Sequence, residues 1–177
     1  MHMRKIIKDK TIVHDDWQLL TLAEGETAEI VNVPVGKTIV PLTVWLAQKS
    51  VLASRSDIGV WLASDERAES LKDDVATLPL IAVDFPTFAD GRGYSIAYQL
   101  RARLGFEGEL RAVGDVLRDQ LFYMARVGFN AFATREDRSI EDALKGLTDF
   151  SEAYQTAWDQ KTPLFRRVSR PSARELA

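Results

Sequence analysis

Short apolar runs alternate with amphipathic stretches along the chain from about residue 58 onward. Each apolar run has the length of a strand and leads, through polar or small residues, into a stretch with helical spacing. The runs are IGVWLA from residue 58, LPLIAVDF from 78, ELRAV from 109 and NAFAT from 130. Four strand–helix units in succession predict an α/β fold with a parallel sheet.

The spacing of these units, roughly 20 to 30 residues, suits two arrangements. In a barrel-like sheet the strands follow one another in chain order, whereas in an open doubly wound sheet the order reverses at a switch point. The pattern alone leaves both open, and we favour the sequential, barrel-like order.

The first 50 residues show a different pattern, which we interpret as a β-rich accessory layer. In residues 4–16, Ile6-Ile7 and Ile12-Val13 flank Lys8-Asp9-Lys10, a spacing typical of a hairpin. The stretches ETAEIVNVP and IVPLTVWLAQK add strand-like or irregular segments. We expect one α/β domain over residues 1–165 and a flexible basic tail over 166–177.

Local signals place the ends of two helices. Asp115 is a candidate N-cap for the helix that follows it, and Gly128 is a candidate C-terminal glycine for the same helix. Ser139, with Asp142 three residues later, predicts a capped start for the next helix.

The 177-residue chain has no cysteine, which excludes disulfides, thiolate nucleophiles and cysteine-ligated iron–sulfur clusters within it. With only two histidines, both near the N-terminus, it is poorly supplied for a histidine-rich metal site or a Ser-His-Asp triad. We therefore expect no bound metal and no cofactor of its own, and a colourless purified protein.

The formal net charge of −3 gives no general electrostatic reason to bind nucleic acid or an anionic membrane. No apolar stretch approaches the roughly 20 residues that cross a bilayer. We expect a cytoplasmic protein that binds neither nucleic acid nor membrane.

Polar residues follow the predicted parallel strands, and in such sheets the loops after the strands share one ligand-binding face. The candidate site residues are Asp84, Asp90, Gly91, Arg92, Gly93, Tyr94, Asp115 and Arg135. In the DGRG turn, close backbone approach at the glycines and the charge of Arg92 suit a small oxyanion. The alternative is a turn that only shapes the fold, with Asp84 or Asp90 pairing with Arg92 or Arg135.

We considered two other functions for these loops, dinucleotide binding and acid–base catalysis. The DGRG turn fails as a dinucleotide fingerprint, because the position that requires a small residue is Ile96 and seven residues separate the strand from Gly91. Acid–base chemistry is the second, with Asp84, Asp115 or Tyr94 as candidate groups if burial shifts their pKa values.

The block from about Leu80 to Phe132, with PLFRR near the end as a weaker echo, resembles a bacterial family, the domain of unknown function 934. Members are commonly labelled as oxidoreductases involved in sulfite reduction. The matching positions include the DGRG turn and Tyr94, with Asp84, Arg101, Gly114, Asp115, Arg118, Asp119 and Phe129. The resemblance transfers no catalytic residue.

This resemblance implies a genetic context beside assimilatory sulfite or nitrite reductase components. Our first hypothesis is an accessory protein of sulfate and sulfite reduction that binds a small anion or a reductase component, either the sulfite reductase haemoprotein or its electron donor. The alternatives are an enzyme with an acid–base site at the strand ends, and a structural interaction module.

Overall fold

The computed structural model describes residues 4–151 and 153–167 and contains one mixed sheet of eight strands. The sheet runs in the order β2-β1-β8-β7-β6-β5-β4-β3 and curls into a half-barrel. The strands are β1 Lys5–Lys8, β2 Thr11–His14, β3 Gln18–Leu19, β4 Thr38–Pro41, β5 Ile58–Leu62, β6 Leu80–Phe85, β7 Glu109–Gly114 and β8 Ala131–Phe132.

Strands β3 to β8 are parallel and follow chain order, which confirms the α/β prediction and the sequential arrangement. The predicted hairpin is also confirmed: β1 pairs antiparallel with β2 across a turn in which Asp9 and Lys10 both have positive φ. Strand β1 then pairs antiparallel with β8, so the hairpin extends one edge of the same sheet.

The helices are α1 Leu42–Leu52, α2 Arg92–Tyr98, α3 Arg118–Val127, α4 Ile140–Lys145 and α5 Leu164–Arg167. A π-helical segment, Gln99–Arg103, extends α2, and 3₁₀ turns span Ala68–Leu71 and Gly146–Thr148. No helix in the described ranges is long and apolar enough to span a membrane.

Two details differ from the sequence-based expectations, and a third expectation lies mostly outside the described residues. The parallel units begin at β4 rather than at residue 58, because IVPLTVWLAQK forms a strand and then the start of α1, so the first 50 residues belong to the main sheet. The amphipathic stretch after β5 forms only a 3₁₀ turn. Most of the predicted basic tail, residues 168–177, lies outside the described residues, and the domain boundary stays a prediction.

Successive residues of each strand alternate between two unlike faces of the sheet. Helices α1 to α4 pack on one face, where Val60, Ile81 and Val83 are fully buried in the main apolar core. The other, inner face carries a smaller apolar cluster of Ile6, Ile39, Leu80, Ala82, Val113 and Ala133, partly covered by Trp17 and Trp61.

The inner face also holds a buried ion-pair group centred on Arg111 of β7. Its guanidinium donates to Glu109 at 2.8 Å and to Asp15 at 2.9 Å, and all three side chains are at most 7% exposed. Lys8 of β1 completes the group through Glu109 at 2.7 Å. This group joins β7, the hairpin and the segment that leads to β3.

A second buried guanidinium, that of Arg101, lies on the helical side. It donates to the carbonyl oxygens of Phe106, Gly108 and Gly128, and to the side-chain oxygen of Asn130. These acceptors immediately precede β7 and β8 in the chain, so Arg101 fixes where both strands begin.

We expect Arg111→Met to lower the free energy of unfolding by about 3 kcal/mol, because it leaves the buried Asp15 and Glu109 carboxylates without their main partner. Urea denaturation measures this loss. Arg103→Met, at an exposed arginine of the π-helical segment, is the control and should cost less than about 0.5 kcal/mol. Equal losses in the two variants would show that the buried group contributes nothing specific.

Candidate functional site

The carboxyl ends of the two central strands, β6 and β7, form the middle of the candidate site. Asp84 is the penultimate residue of β6, lies opposite Val113 of β7, and is half-buried on the inner face. Among the described residues it has no hydrogen-bond or ion-pair partner. Burial, and secondarily the negative charge of Asp90, raise the pKa of the Asp84 carboxyl above its ordinary value.

Gly114, at the end of β7, makes room for Asp84. Its φ of +91° lies in the left-handed region, and a Cβ at this position would stand 2.5 Å from Oδ1 of Asp84. A side chain here would therefore strain the backbone and displace the carboxylate.

Asp90 and Arg92 of the DGRG turn bind each other. The Arg92 guanidinium donates two hydrogen bonds to Asp90, at 2.7 and 3.0 Å, and a third to the hydroxyl of Ser64, which itself donates to Asp90 at 2.7 Å. The Arg92 guanidinium, assisted by Ser64, holds the pKa of Asp90 far below its ordinary value. The turn after β6 is thereby fixed to the loop after β5.

The two glycines of the turn play different parts. Gly93 lies over the ring of Phe85, and a Cβ on it would come within 2.6 Å of that ring, so this glycine allows α2 to pack on β6. A Cβ on Gly91 would make only an ordinary contact, with the ring of Tyr94 at 3.9 Å, and the φ of −85° at this position needs no glycine. Tyr94 packs edge-on against Phe85 on the helical side, away from Asp84, and burial raises the pKa of its hydroxyl.

Asp115 ties the loops after β6, β7 and β8 together. Its carboxylate accepts from the backbone N–H of Phe88 at 2.8 Å and from Arg135 at 3.0 Å. Arg135 also binds Asp137 through two hydrogen bonds, and these carboxylates raise its pKa. The N-cap prediction for Asp115 was wrong: α3 begins at Arg118, and its N-cap is Leu117, whose N–H donates to the side chain of Gln120.

The helix ends nearby follow the sequence signals more closely. Ser139 caps α4 by accepting from the N–H of Asp142 at 3.1 Å, and Gly128, with a φ of +123°, ends α3.

A cavity of about 790 Å³ opens between the loops after β7 and β8. Arg118 on its wall is held by Asp142 and Asp149, each at 2.9 Å. None of these side chains was among the predicted site residues. The spacing of Arg135 and Asp137, two positions apart like Asp90 and Arg92, is the local signal that could have revealed further pairing here.

The strand-end face as a whole is acidic. Its segments, residues 63–67, 84–92, 114–119 and 134–142, carry ten acidic and five basic side chains, an excess of five negative charges. The entire chain has a net charge of only −3, so negative charge is concentrated on this face. Among the described residues, no group of three or more acidic or histidine side chains is arranged to hold a metal ion.

The structure thus brings the predicted residues together in two pairs, Asp90 with Arg92 and Asp115 with Arg135, and leaves Asp84 unpaired in the described part of the chain. Gly91 and Gly93 flank Arg92 as expected. Tyr94 belongs to the helical side of the sheet and does not join the Asp84 carboxyl, because Phe85 and Asp84 point to opposite faces.

Residues 59–165 match a family model described as a bacterial protein of unknown function, DUF934. This range covers more than half of the chain and contains β6 to β8, all but the first residue of β5, and all the candidate site residues. Neither the search of curated proteins nor the search of solved structures gives a match.

We expect Asp84→Asn to stabilise the protein at pH 7. A carboxyl whose pKa is raised by folding favours the protonated form, so its stabilising contribution is complete below the ordinary value of 3.8 and is lost as the pH rises through the folded-state pKa. The neutral amide avoids that loss. Thermal unfolding should show a variant midpoint a few degrees higher at pH 7, with the difference shrinking toward about pH 4.

Asp65→Asn, at an exposed acid on the neighbouring loop, serves as the matched control. Its unfolding midpoint should stay close to that of the wild type at both pH values. A lower midpoint for Asp84→Asn at pH 7 would contradict the assignment of Asp84 as a destabilising unpaired charge.

Proposed function

The chain belongs to the bacterial DUF934 family of proteins of unknown function, and we propose that it is an accessory protein of assimilatory sulfite reduction in the cytoplasm. In this role it binds a reductase component, the sulfite reductase haemoprotein or its electron donor, and does not carry electrons itself. The absence of cysteine supports the second part, since the chain can supply no cysteine-ligated cluster.

The observation that carries the proposal is the acidic strand-end face with its arginines already paired. Arg92 pairs with Asp90, and Arg135 pairs with Asp115 and Asp137. The remaining acidic side chains of the strand-end face therefore give it an excess of negative charge. Such a face complements a basic surface on a partner protein, and charge complementarity of this kind chiefly speeds association and selects the partner. A small anion would have to displace carboxylates to reach either arginine.

The exposed acids Asp65 and Glu136 lie on loops after β5 and β8, at the edges of this face, and are suited to a binding test. We expect the double variant Asp65→Lys, Glu136→Lys to weaken association with the reductase component about tenfold or more, because it reverses two charges on the binding face. Light scattering or calorimetry at tens of micromolar protein and low salt measures the dissociation constant.

The control reverses an acid at the opposite end of the strands. Glu107 is exposed on the loop that enters β7, so Glu107→Lys should leave association nearly unchanged while altering the net charge in the same sense. Absence of association with either reductase component, or equal effects of the variants at both ends, would refute the proposal.

A small anion as the ligand makes a different prediction. We expect millimolar sulfite to raise the melting temperature of the wild type no more than sodium chloride of equal ionic strength, because Arg92 and Arg135 are internally neutralised. We expect Arg92→Ala to melt at a lower temperature without any ligand, since Asp90 and Ser64 lose their common partner. A sulfite-specific shift that Arg92→Ala abolishes would establish the anion site instead.

Acid–base catalysis at the strand ends is a second candidate function, which the unpaired and half-buried Asp84 favours. The two functions separate in a reconstituted sulfite-reduction assay. An accessory role predicts that Asp84→Asn both binds the partner and supports its activity as the wild type does. A catalytic role predicts that this variant binds but loses the stimulation.

A further inference from the structure

The cavity between the loops after β7 and β8 contains polar groups that the fold does not use. Thr134, two residues after β8, lines it and is only 7% exposed. Its hydroxyl makes no hydrogen bond to a described residue and is not among the fully enclosed polar atoms, so it is accessible to solvent. A ligand in the cavity can therefore use this hydroxyl as a donor or an acceptor.

The first turn of α3 borders the same cavity. Leu117 has no side-chain oxygen to cap the helix, and the backbone N–H groups of Arg118 and Asp119 have no acceptor in the described part of the chain. These amides lie at the positive end of a ten-residue helix, which favours a negatively charged ligand group.

Two charges on the wall are also available. Arg138 approaches Asp137 only at 3.8 Å, and Asp137 already accepts two bonds from Arg135. Asp119 has no ion-pair partner among the described residues. The cavity therefore offers one cation and one anion, whereas the guanidinium of Arg118 is occupied by two aspartates.

We propose that this cavity binds a small zwitterion, a molecule with a carboxylate and an ammonium group, of amino-acid to short-peptide size. The carboxylate meets the free amides of α3 and Arg138, the ammonium meets Asp119, and Thr134 donates to or accepts from the ligand between them. Because the lining is acidic overall, a simple anion fits it less well than a neutral zwitterion. The volume of about 790 Å³ is within the usual range of ligand pockets. The cavity opens on the same strand-end face as the proposed partner-binding surface, but its lining contains neither Asp65 nor Glu136, so the two proposals are tested with different variants.

Glycine and triglycine are the probes, since they separate the two charges by short and long distances. In ¹H–¹⁵N spectra we expect at least one of them to shift the amides of Arg118, Asp119 and Thr134 saturably. For the probe that binds, the N-acetylated and the C-amidated forms, each lacking one charge, should bind about tenfold more weakly. Equal binding of the charged and blocked forms would overturn the zwitterion class, and no saturable shift, or shifts confined to other residues, would overturn the site.

The variants test the two unpaired groups. Thr134→Val keeps the shape but removes the hydroxyl, and should weaken the bound probe about fivefold; Asp119→Asn, at an exposed position, should weaken it by a similar factor and cannot act through the core. Thr87→Val, on the exposed loop after β6 and outside the cavity, should have no effect. Unchanged affinity in both Thr134→Val and Asp119→Asn would refute the proposed contacts.

Discussion

The buried guanidinium of Arg101 is the interaction on which the positions of the central strands depend. Burial lowers the pKa of Arg101, and no carboxylate contacts it directly. Its guanidinium instead donates hydrogen bonds to three backbone carbonyls and one amide oxygen. The ring centres of Phe106 and Trp158 each lie 5.3 Å from the guanidinium carbon. The π-helical segment brings Arg101 to this place, as such segments often position functional side chains. Because the acceptors immediately precede β7 and β8, this one side chain holds the starts of both strands together.

At the carboxyl ends of the strands, the candidate site residues are held in two different ways. Asp84 sits on a strand, in register with β7, whereas Asp90, Asp115 and Arg135 sit on loops that are fixed only by pairing with one another. A carboxylate that is held by the sheet and left without a partner is therefore the more rigid element of the face, and the paired residues form its frame. Function that needs a defined proton position is best served by Asp84, and function that needs an adaptable contact surface by the loops.

Much of the fold could be predicted from the sequence because periodicity reports burial. The alternation of strand-length runs and helical spacing predicted the parallel sheet, and two β-branched pairs predicted the hairpin. The pattern left the strand order open, with the sequential order favoured. Ser139 and Gly128 marked helix ends through local chemistry. The first 50 residues are rich in strands, as predicted, but the unit of β4 and α1 within them was not anticipated, because Pro41 and the short β3 interrupt the regular alternation. Asp15, which follows the hairpin as if in a solvated turn, is buried by Arg111 almost 100 residues away, and no local pattern indicates such a distant partner.

The sequence placed the candidate site residues on the loops after the strands, but it did not indicate the sign of the charge on that face. Arg92 and Arg135 stand two positions from Asp90 and Asp137, a spacing that lets a loop fold an arginine back onto its own aspartate. From the sequence alone such an arginine looks available to bind an anion. In the structure it is bonded to a neighbouring aspartate, so the charge that remains exposed comes from the excess carboxylates. The DGRG turn is therefore part of an acidic surface although it carries an arginine. Each guanidinium neutralises a neighbouring carboxylate, so the unpaired acids of the adjoining loops determine the sign of the charge on this face.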